Sequence, residues 1–189
     1  LGASVAVFQN GRITYVYTYG QTRPGGPEVT ADTAFQVGSI SKMVACIGLL
    51  QLMDEQGVSL DDELGEVLGY EVRNPHYPEV PVTLRQLMTH TASLQDSSNY
   101  DRALEGEGLP LETLFAQEGR RVFLQARPGS RRLYSNFGGG LIGSLIEALS
   151  GRMLDEYMTE KVFEPLGITA AYQPSRLAPD VPVADLYLM

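Results

Sequence analysis

The chain has 189 residues, of which 43% are hydrophobic and 20% are charged, a composition typical of a globular protein with one core. Its 23 acidic and 14 basic residues give a net charge of -9, which argues against a nucleic-acid-binding protein. The single Cys46 excludes an intrachain disulfide, and the two histidines offer no candidate metal site. No apolar run is as long as a membrane span, which needs about 18 residues.

The first segment is predicted to be a β-hairpin. Two strand-like runs, Ala3 to Phe8 and Ile13 to Tyr19, are separated by Asn10-Gly11. Asn-Gly is the strongest short hairpin signal, because both central residues of the turn need a positive φ. The second run alternates tyrosines with threonines and a valine, which predicts a strand with two different faces. Residues 20–33 are rich in Gly and Pro and are predicted to form a loop.

A long apolar helix is predicted next, from Ile40 to Gln56, with Gly57 as its C-terminal stop. Because this segment is apolar on nearly every face, it is expected to be a buried central helix. Ser39 lies at the helix N-terminus, where unpaired N–H groups and the helix dipole would stabilise an alkoxide or oxyanion.

Lys42 follows Ser39 by one helical turn and lies on the same face. Its neighbours Met43, Val44 and Cys46 are apolar, and such surroundings favour loss of the ammonium proton, which would make Lys42 a general base for the serine hydroxyl. The alternative is that Ser39 merely caps the helix and Lys42 extends into solvent.

The rest of the chain is predicted to be mainly helical. A short acidic helix covers Leu60 to Leu68, and Thr83 with Gln86 forms a capping box for the next helix. Residues 93–110 are polar and contain glycine, which predicts a long surface loop beside a binding cleft. A further helix is expected from Leu111 to about Phe123.

Ser93, His90 and Asp96 contain the residue types of a catalytic triad within seven positions. This alternative is disfavoured, because triads are assembled from distant segments and His90 is better placed to cap helix carbonyls.

A second informative stretch is Tyr134-Ser135-Asn136, followed by Phe137, three glycines at 138–140 and an apolar helix that ends at Ser150-Gly151. Each glycine costs a helix roughly 1 kcal/mol relative to alanine. The sequence therefore predicts that this helix packs with its backbone unusually close to a neighbour. The preceding Arg131-Arg132 is interpreted as a solvated pair beside the site.

These motifs resemble a known family. Ser39-Ile40-Ser41-Lys42 and Tyr134-Ser135-Asn136 resemble the S-x-x-K and Y-x-N motifs of the serine β-lactamase and penicillin-binding-protein superfamily, in its class C β-lactamase-like branch. Residues 82–91, 127–129 and 163–168 resemble further stretches of the same branch, in the same order.

The resemblance implies an α+β, β-lactamase/transpeptidase-like fold, with a helical lobe and part of an antiparallel sheet. The whole chain would be a portion of one catalytic domain. Residues 1–38 would supply sheet strands, residues 39–57 the central nucleophile helix, and residues 58–189 a mostly helical lobe.

The resemblance also implies roles for four residues. Ser39 would be the acylated nucleophile, Lys42 its proton acceptor, Tyr134 a second acid/base, and Asn136 a hydrogen-bonding partner of the substrate amide. A phenol and an ammonium near one another each favour the phenolate and neutral amine forms, so either Lys42 or Tyr134 could be the base. No cofactor is implied.

The expected activity is acyl transfer through an acyl-serine, as in penicillin-binding proteins, D-alanyl-D-alanine carboxypeptidases or class C β-lactamases. The alternatives are an esterase or D-amino-acid peptidase of the same fold, a penicillin-binding sensor with little turnover, and a non-catalytic scaffold. The expected partners are a β-lactam or a cell-wall peptide. By resemblance the location would be periplasmic or extracellular in a bacterium, although intracellular esterase-like relatives leave the cytoplasm open.

Two features depart from the family pattern. Ala92-Ser93 stands where the family usually has Ser-Gly, a small loop change. The third motif, a Lys or His followed by Thr or Ser and Gly, is absent, because neither Lys42 nor Lys161 nor either histidine begins such a triplet. Two N-terminal strands alone are also too little sheet to be stable. We therefore expect these residues to be a portion of a longer protein, or to need another chain to complete the sheet.

Overall fold

The computed structural model describes residues 2–104 and 108–186. It begins with the predicted hairpin, in which β1 (Ala3–Gln9) pairs antiparallel with β2 (Arg12–Tyr19). Asn10 and Gly11 have φ values of 52° and 73°. The turn therefore has the two positive φ values that the Asn-Gly signal requires, and the hairpin prediction is confirmed.

The hairpin is exposed on both of its faces. Its large apolar side chains are 43–73% exposed. Burial therefore does not distinguish the two faces that the alternating pattern predicted, because no other described element covers either side.

Helix α1 spans Ile40–Gln56, and Gly57 ends it with a φ of 69°, as predicted. Only one face of this helix is buried, and that face includes Leu49, Leu52 and Met53. The opposite face is 44–61% exposed and carries Ile40, Met43, Ile47 and Leu50. The expectation of a helix buried on nearly every face was therefore wrong, because the described residues cover one side only.

Seven further α-helices occur in the described residues: α2 (Leu64–Leu68), α3 (Leu84–Met88), α4 (Ser98–Leu104), α5 (Leu111–Val122), α6 (Asn136–Ser150), α7 (Leu154–Met158) and α8 (Glu164–Leu166). A π-helical turn, Thr159–Phe163, joins α7 to α8, and Pro174–Arg176 forms a 3₁₀ turn. None of these helices is long and apolar enough to cross a membrane.

Helix α6 lies at the centre of the core. It packs against α1 and also contacts α2, α3 and α7. The largest fully buried side chains are Leu49, Leu64, Leu84, Leu87, Leu114, Phe123, Leu141, Leu145, Ile146 and Met158. Each such side chain contributes about 1.5–3 kcal/mol on burial. The packing of α1 on α6 therefore helps to fix where the helix that follows Ser39 lies.

Three local predictions can be compared with the helix boundaries. The capping box is confirmed, since Thr83 and Gln86 exchange side chain to backbone hydrogen bonds of 3.2 and 3.3 Å. Helix α5 ends at Val122, one residue from the predicted position. Helix α4 lies inside the segment 93–110, so the prediction of one long loop there was wrong; residues 105–107 lie outside the described part.

The predicted helix from Leu60 begins four residues late, at Leu64. Side chains before it satisfy the backbone in another way. Ser59 N–H donates to Asp62 Oδ2 at 2.8 Å, and Asp61 N–H donates to Ser59 Oγ at 3.1 Å. Such local bonds offer the backbone an alternative to a helical turn, which is why the helix starts after them.

The first turn of α1 is held from the far end of the chain. The Tyr172 hydroxyl donates to the Ser41 carbonyl at 3.0 Å. Tyr172 is in turn fixed by Asp155, whose carboxylate accepts from the backbone N–H groups of Tyr172 at 2.6 Å and Gln173 at 3.1 Å. Burial raises the pKa of Tyr172 to about 12, so it remains a donor at neutral pH.

Candidate active site

Ser39 lies in a tight turn that opens α1. Gly38 adopts a φ of 55°, which glycine accepts without strain. Its carbonyl accepts from Ser41 N–H at 3.1 Å and also from the Ser41 hydroxyl. The Ser39 side chain makes no capping hydrogen bond. The interpretation of Ser39 as only a helix cap therefore fails, and its hydroxyl is available for other partners.

The Ser39 hydroxyl meets both residues that the motifs singled out. Ser39 Oγ lies 2.6 Å from Tyr134 Oη, and Lys42 Nζ donates to Ser39 Oγ at 3.1 Å. Lys42 Nζ also lies 5.3 Å from the centre of the Tyr134 ring, within the range of a cation–π contact. A hydroxyl, an ammonium and a phenol are thus within hydrogen-bonding reach of one another.

This arrangement changes the acidity of Tyr134. Hydrogen bonds with Lys42 and then Ser39, together with the Lys42 charge, hold the pKa of the phenol below its usual value of 10.0. The charge of Asp96 acts in the opposite direction. The site therefore favours the phenolate form of Tyr134 more than water does.

The glycines at the start of α6 make room for Lys42. A Cβ atom on Gly139 would lie 2.5 Å from Lys42 Cε and 2.6 Å from Cδ, whereas one on Gly140 would meet nothing within 4 Å. The predicted close approach is therefore confirmed at Gly139, where the neighbour is the lysine stem, and it is wrong for Gly140. The predicted apolar surrounding of Lys42 is also incomplete, because Met43 is 61% exposed.

Asn136 is the first residue of α6, two positions after Tyr134. Its Nδ2 donates to Asp96 Oδ2 at 2.8 Å. Burial raises the pKa of Asp96, but hydrogen bonds from Phe137, Ser135 and Asn136 outweigh this effect, and the pKa lies below its usual value. Asp96 is therefore an ionised carboxylate that is hydrogen-bonded to Ser135 and Asn136 of the Y-x-N motif.

His90 is a neighbour of Tyr134, and it entered the sequence analysis only as a helix cap or as part of the disfavoured triad. Its ring centre lies 4.6 Å from that of Tyr134. Its backbone N–H donates to the Leu87 carbonyl at 3.1 Å, which closes α3. Burial, and then the charges of Arg132 and Lys42, lower the pKa of the imidazole, so His90 is neutral at pH 7. The stretch 82–91 was part of the resemblance, but nothing in it revealed this ring contact.

The disfavoured triad does not form. Ser93 is only 1% exposed, and Asp96 accepts hydrogen bonds from Ser135, Asn136 and Phe137. In residues 2–104 and 108–186 no group of three or more His, Cys, Asp or Glu side chains could hold a metal ion. Arg131 and Arg132 are both exposed, as interpreted.

Comparison with known proteins assigns the family. The β-lactamase family model matches residues 1–188. The chain belongs to the β-lactamase family. Its mixed helix and strand structure agrees with the fold of solved family members. The octameric penicillin-binding protein homologue from Pyrococcus abyssi superimposes with a TM-score of 0.79 at 28% identity, over 97% of this chain and 43% of that one.

Two curated β-lactamase-family relatives are similar over most of this chain. Penicillin-binding protein 4 from Amycolatopsis lactamdurans is 28% identical over 88% of this chain and 43% of its own length. The D-alanyl-D-alanine-carboxypeptidase/endopeptidase AmpH from Escherichia coli K12 is 30% identical over 84% of this chain and 42% of its own length. The chain therefore spans less than half the length of the relatives that it matches.

Proposed function

We propose that this chain supplies the nucleophile, proton-relay and amide-binding residues of a serine acyl-transfer hydrolase. Ser39 is the nucleophile, Tyr134 and Lys42 form the proton relay, and Asn136 binds the substrate amide. The observation that carries the proposal is the 2.6 Å contact of Ser39 Oγ with Tyr134 Oη, made beside an ammonium 3.1 Å from the same oxygen. A serine hydroxyl becomes a useful nucleophile when a base lies within such reach.

The lowered pKa of Tyr134, with Lys42 as an ammonium donor, supports Tyr134 as the base. Lys42 Nζ donates to Ser39 Oγ, so the serine's own proton is left for Tyr134 Oη. Ser39 Oγ then attacks the substrate carbonyl carbon as its proton moves to the phenolate. Collapse of the tetrahedral intermediate breaks the bond to the leaving group, which takes the proton from Tyr134. Water or an amine next attacks the acyl-serine and gives a proton to Tyr134. The bond from the acyl carbon to Ser39 Oγ then breaks, and Tyr134 returns the proton to Ser39 Oγ, which restores the hydroxyl and the phenolate.

Electrostatic stabilisation accompanies these steps. The N-terminus of α1 and the backbone N–H of Ser39 would favour the negative charge that forms on the substrate oxygen. The Lys42 ammonium stabilises the phenolate before attack, and its donation to Oγ stabilises the developing alkoxide.

The substrate class that we propose is a penicillin or a D-alanyl-D-alanine peptide, since the relatives include proteins named for both activities. Incubation with benzylpenicillin followed by intact mass spectrometry tests this. A stable adduct supports a penicillin-binding or carboxypeptidase role, and loss of penicillin without an adduct supports lactamase turnover.

Turnover of a 4-nitrophenyl ester at Ser39 without any reaction of penicillin would favour the esterase or peptidase alternatives instead. Failure of every substrate, both with this chain and with a longer chain that carries a third motif, would overturn the proposal.

The pH dependence of acylation should identify the base. A phenolate base gains population as the pH rises through its pKa. The acylation rate should therefore rise with pH and level off above an apparent pKa that lies below 10; this rising part of the profile is called the basic limb. Replacing Lys42 with methionine removes the cation that favours the phenolate. The basic limb should therefore move to higher pH, and the acylation rate at pH 7 should fall by about 10²-fold or more.

The matched control is Lys161→Met, because Lys161 pairs with Glu160 at 3.3 Å in the turn after α7. It should leave both rate and limb unchanged. If the basic limb of Lys42→Met lies at the same pH as that of the wild type, Tyr134 is not the base. The measurement is the burst of 4-nitrophenol from 4-nitrophenyl acetate between pH 5 and about 10.

We also propose that a further segment or a second chain completes the sheet. The apolar residues of the hairpin and the exposed face of α1 would otherwise remain in water, and strand edges of this kind favour association. We expect the isolated chain to self-associate in sedimentation experiments, and Val7→Lys in β1 to reduce this association. A cooperative, well-folded monomer of 20.7 kDa would contradict the proposal.

Because peptidoglycan lies outside the cytoplasmic membrane, a protein with this substrate class would act in the periplasm or outside the cell. Fractionation of cells that express the full gene product would test this location.

A further inference from the structure

Asp96 connects the segment before α4 to the start of α6. Its Oδ1 accepts from Phe137 N–H at 2.8 Å and from the Ser135 hydroxyl at 2.8 Å. Its Oδ2 accepts from Asn136 Nδ2 at 2.8 Å. Both oxygens of one carboxylate are therefore bonded to three consecutive residues that directly follow Tyr134.

Capping of α6 explains only part of this arrangement, because Phe137 N–H is a helix N–H group whereas the Asn136 Nδ2 group is not. Ser135 already caps the helix, because its hydroxyl accepts from Gly138 N–H at 3.0 Å. The bond to Asn136 involves a side chain rather than a helix N–H group, so it adds nothing to the cap. It does fix the orientation of the Asn136 amide, because a carboxylate accepts hydrogen bonds only and must face the nitrogen.

We propose that Asp96 is a positioning residue, which holds the Asn136 amide so that its second Nδ2 hydrogen and its Oδ1 remain for the substrate and the Ser39 cluster. This inference rests on the proposed role of Asn136 in binding the substrate amide. Asp96 would thereby influence recognition of amide-bearing substrates without touching them.

Asp96→Asn is a selective test of this role. The new Oδ1 can keep the bonds from Phe137 and Ser135, whereas the new Nδ2 would face Asn136 Nδ2, and two donors cannot bond. The variant should therefore keep the fold and change only the Asn136 amide, which is either released or turned so that its Oδ1 accepts from the new Nδ2. Asp101→Asn is the matched control, since Asp101 is an exposed acid in α4 of the same region.

The readout compares two penicillins with the same reactive ring. Benzylpenicillin carries a side-chain amide, and 6-aminopenicillanic acid lacks it. For Asp96→Asn we expect the acylation rate constant with benzylpenicillin to fall about 10- to 100-fold, with a change of less than about threefold for 6-aminopenicillanic acid. Asp101→Asn should change neither. A purely structural role would lower both rates together, and an unchanged ratio of the two rates would overturn the proposal.

A second variant keeps the test independent of folding. Asn136→Ala removes the same contact from the other side and should lose the same preference for benzylpenicillin. Adding Asp96→Asn to Asn136→Ala should cause little further loss, because the two residues act through one interaction. A fully additive loss would contradict the proposal.

Failure of the proposed function is distinguished by a measurement that needs no activity. The side-chain amide signals of Asn136 in a ¹⁵N-labelled sample should shift in Asp96→Asn and stay in place in Asp101→Asn. If no substrate acylates the wild type, shifted signals still support the Asp96 role, and unshifted signals overturn it. If Ser39 is acylated and both the signals and the benzylpenicillin preference are unchanged, only the Asp96 proposal fails.

Discussion

Ser39→Ala is expected to abolish covalent labelling by benzylpenicillin and to lower acyl transfer by about 10⁴-fold or more. Ser39 Oγ is the only hydroxyl bonded to both Lys42 Nζ and Tyr134 Oη in the described structure, so no other side chain there can take its place. Intact mass spectrometry measures the adduct directly, and a 4-nitrophenyl ester assay measures the rate.

Ser41→Ala is the matched control for this prediction. Ser41 belongs to the same turn, but its hydroxyl donates to the Gly38 carbonyl rather than to the site. We expect Ser41→Ala to retain the adduct, with a rate within several-fold of the wild type. Equal labelling of the wild type and Ser39→Ala would show that another residue is acylated.

Gly139→Ala is expected to damage activity without destabilising the fold. The added Cβ would overlap the Lys42 stem at 2.5–2.6 Å, and a flexible side chain can relieve this overlap by moving. The movement would draw Nζ away from Ser39 Oγ, and a displacement of about 1 Å can cost about 10²-fold in rate. Acylation rates and thermal unfolding of the same samples measure the two effects.

Gly140→Ala provides the comparison, since a Cβ there meets nothing within 4 Å. It should leave activity unchanged and raise the free energy of unfolding by up to about 1 kcal/mol, because alanine favours the helix over glycine. Similar losses of activity in the two variants would mean that the glycines are needed for the helix backbone and not to make room for the Lys42 side chain.

The sequence predicted those elements whose signals are local. Asn10-Gly11 fixed the hairpin turn, Gly57 ended α1, and Thr83 with Gln86 started α3. Each of these signals acts through backbone bonds within a few residues, so no knowledge of the tertiary structure was needed. The resemblance of the two motifs also assigned Ser39 and Tyr134 to one site, and their side chains lie 2.6 Å apart.

Features that depend on distant segments were not predicted. An apolar helix sequence gives no information on which partner covers each face, so the exposed side of α1 was missed. The bond from Asn136 to Asp96 spans 40 residues, and Asp96 entered the sequence argument only through a triad that does not form. The glycine cluster indicated a close neighbour but not which glycine was needed, because only the position of Lys42 distinguishes Gly139 from Gly140.

The contact between Ser39 and Tyr134 joins residues 95 positions apart in the chain. Closing a loop of this length costs more conformational entropy than closing the short loops within α6–α8, and contacts of long sequence separation slow folding. During refolding, the relay is therefore complete only when α1 docks on α6. The rate at which a refolding sample gains the ability to be acylated would measure that docking step separately from the formation of the helices.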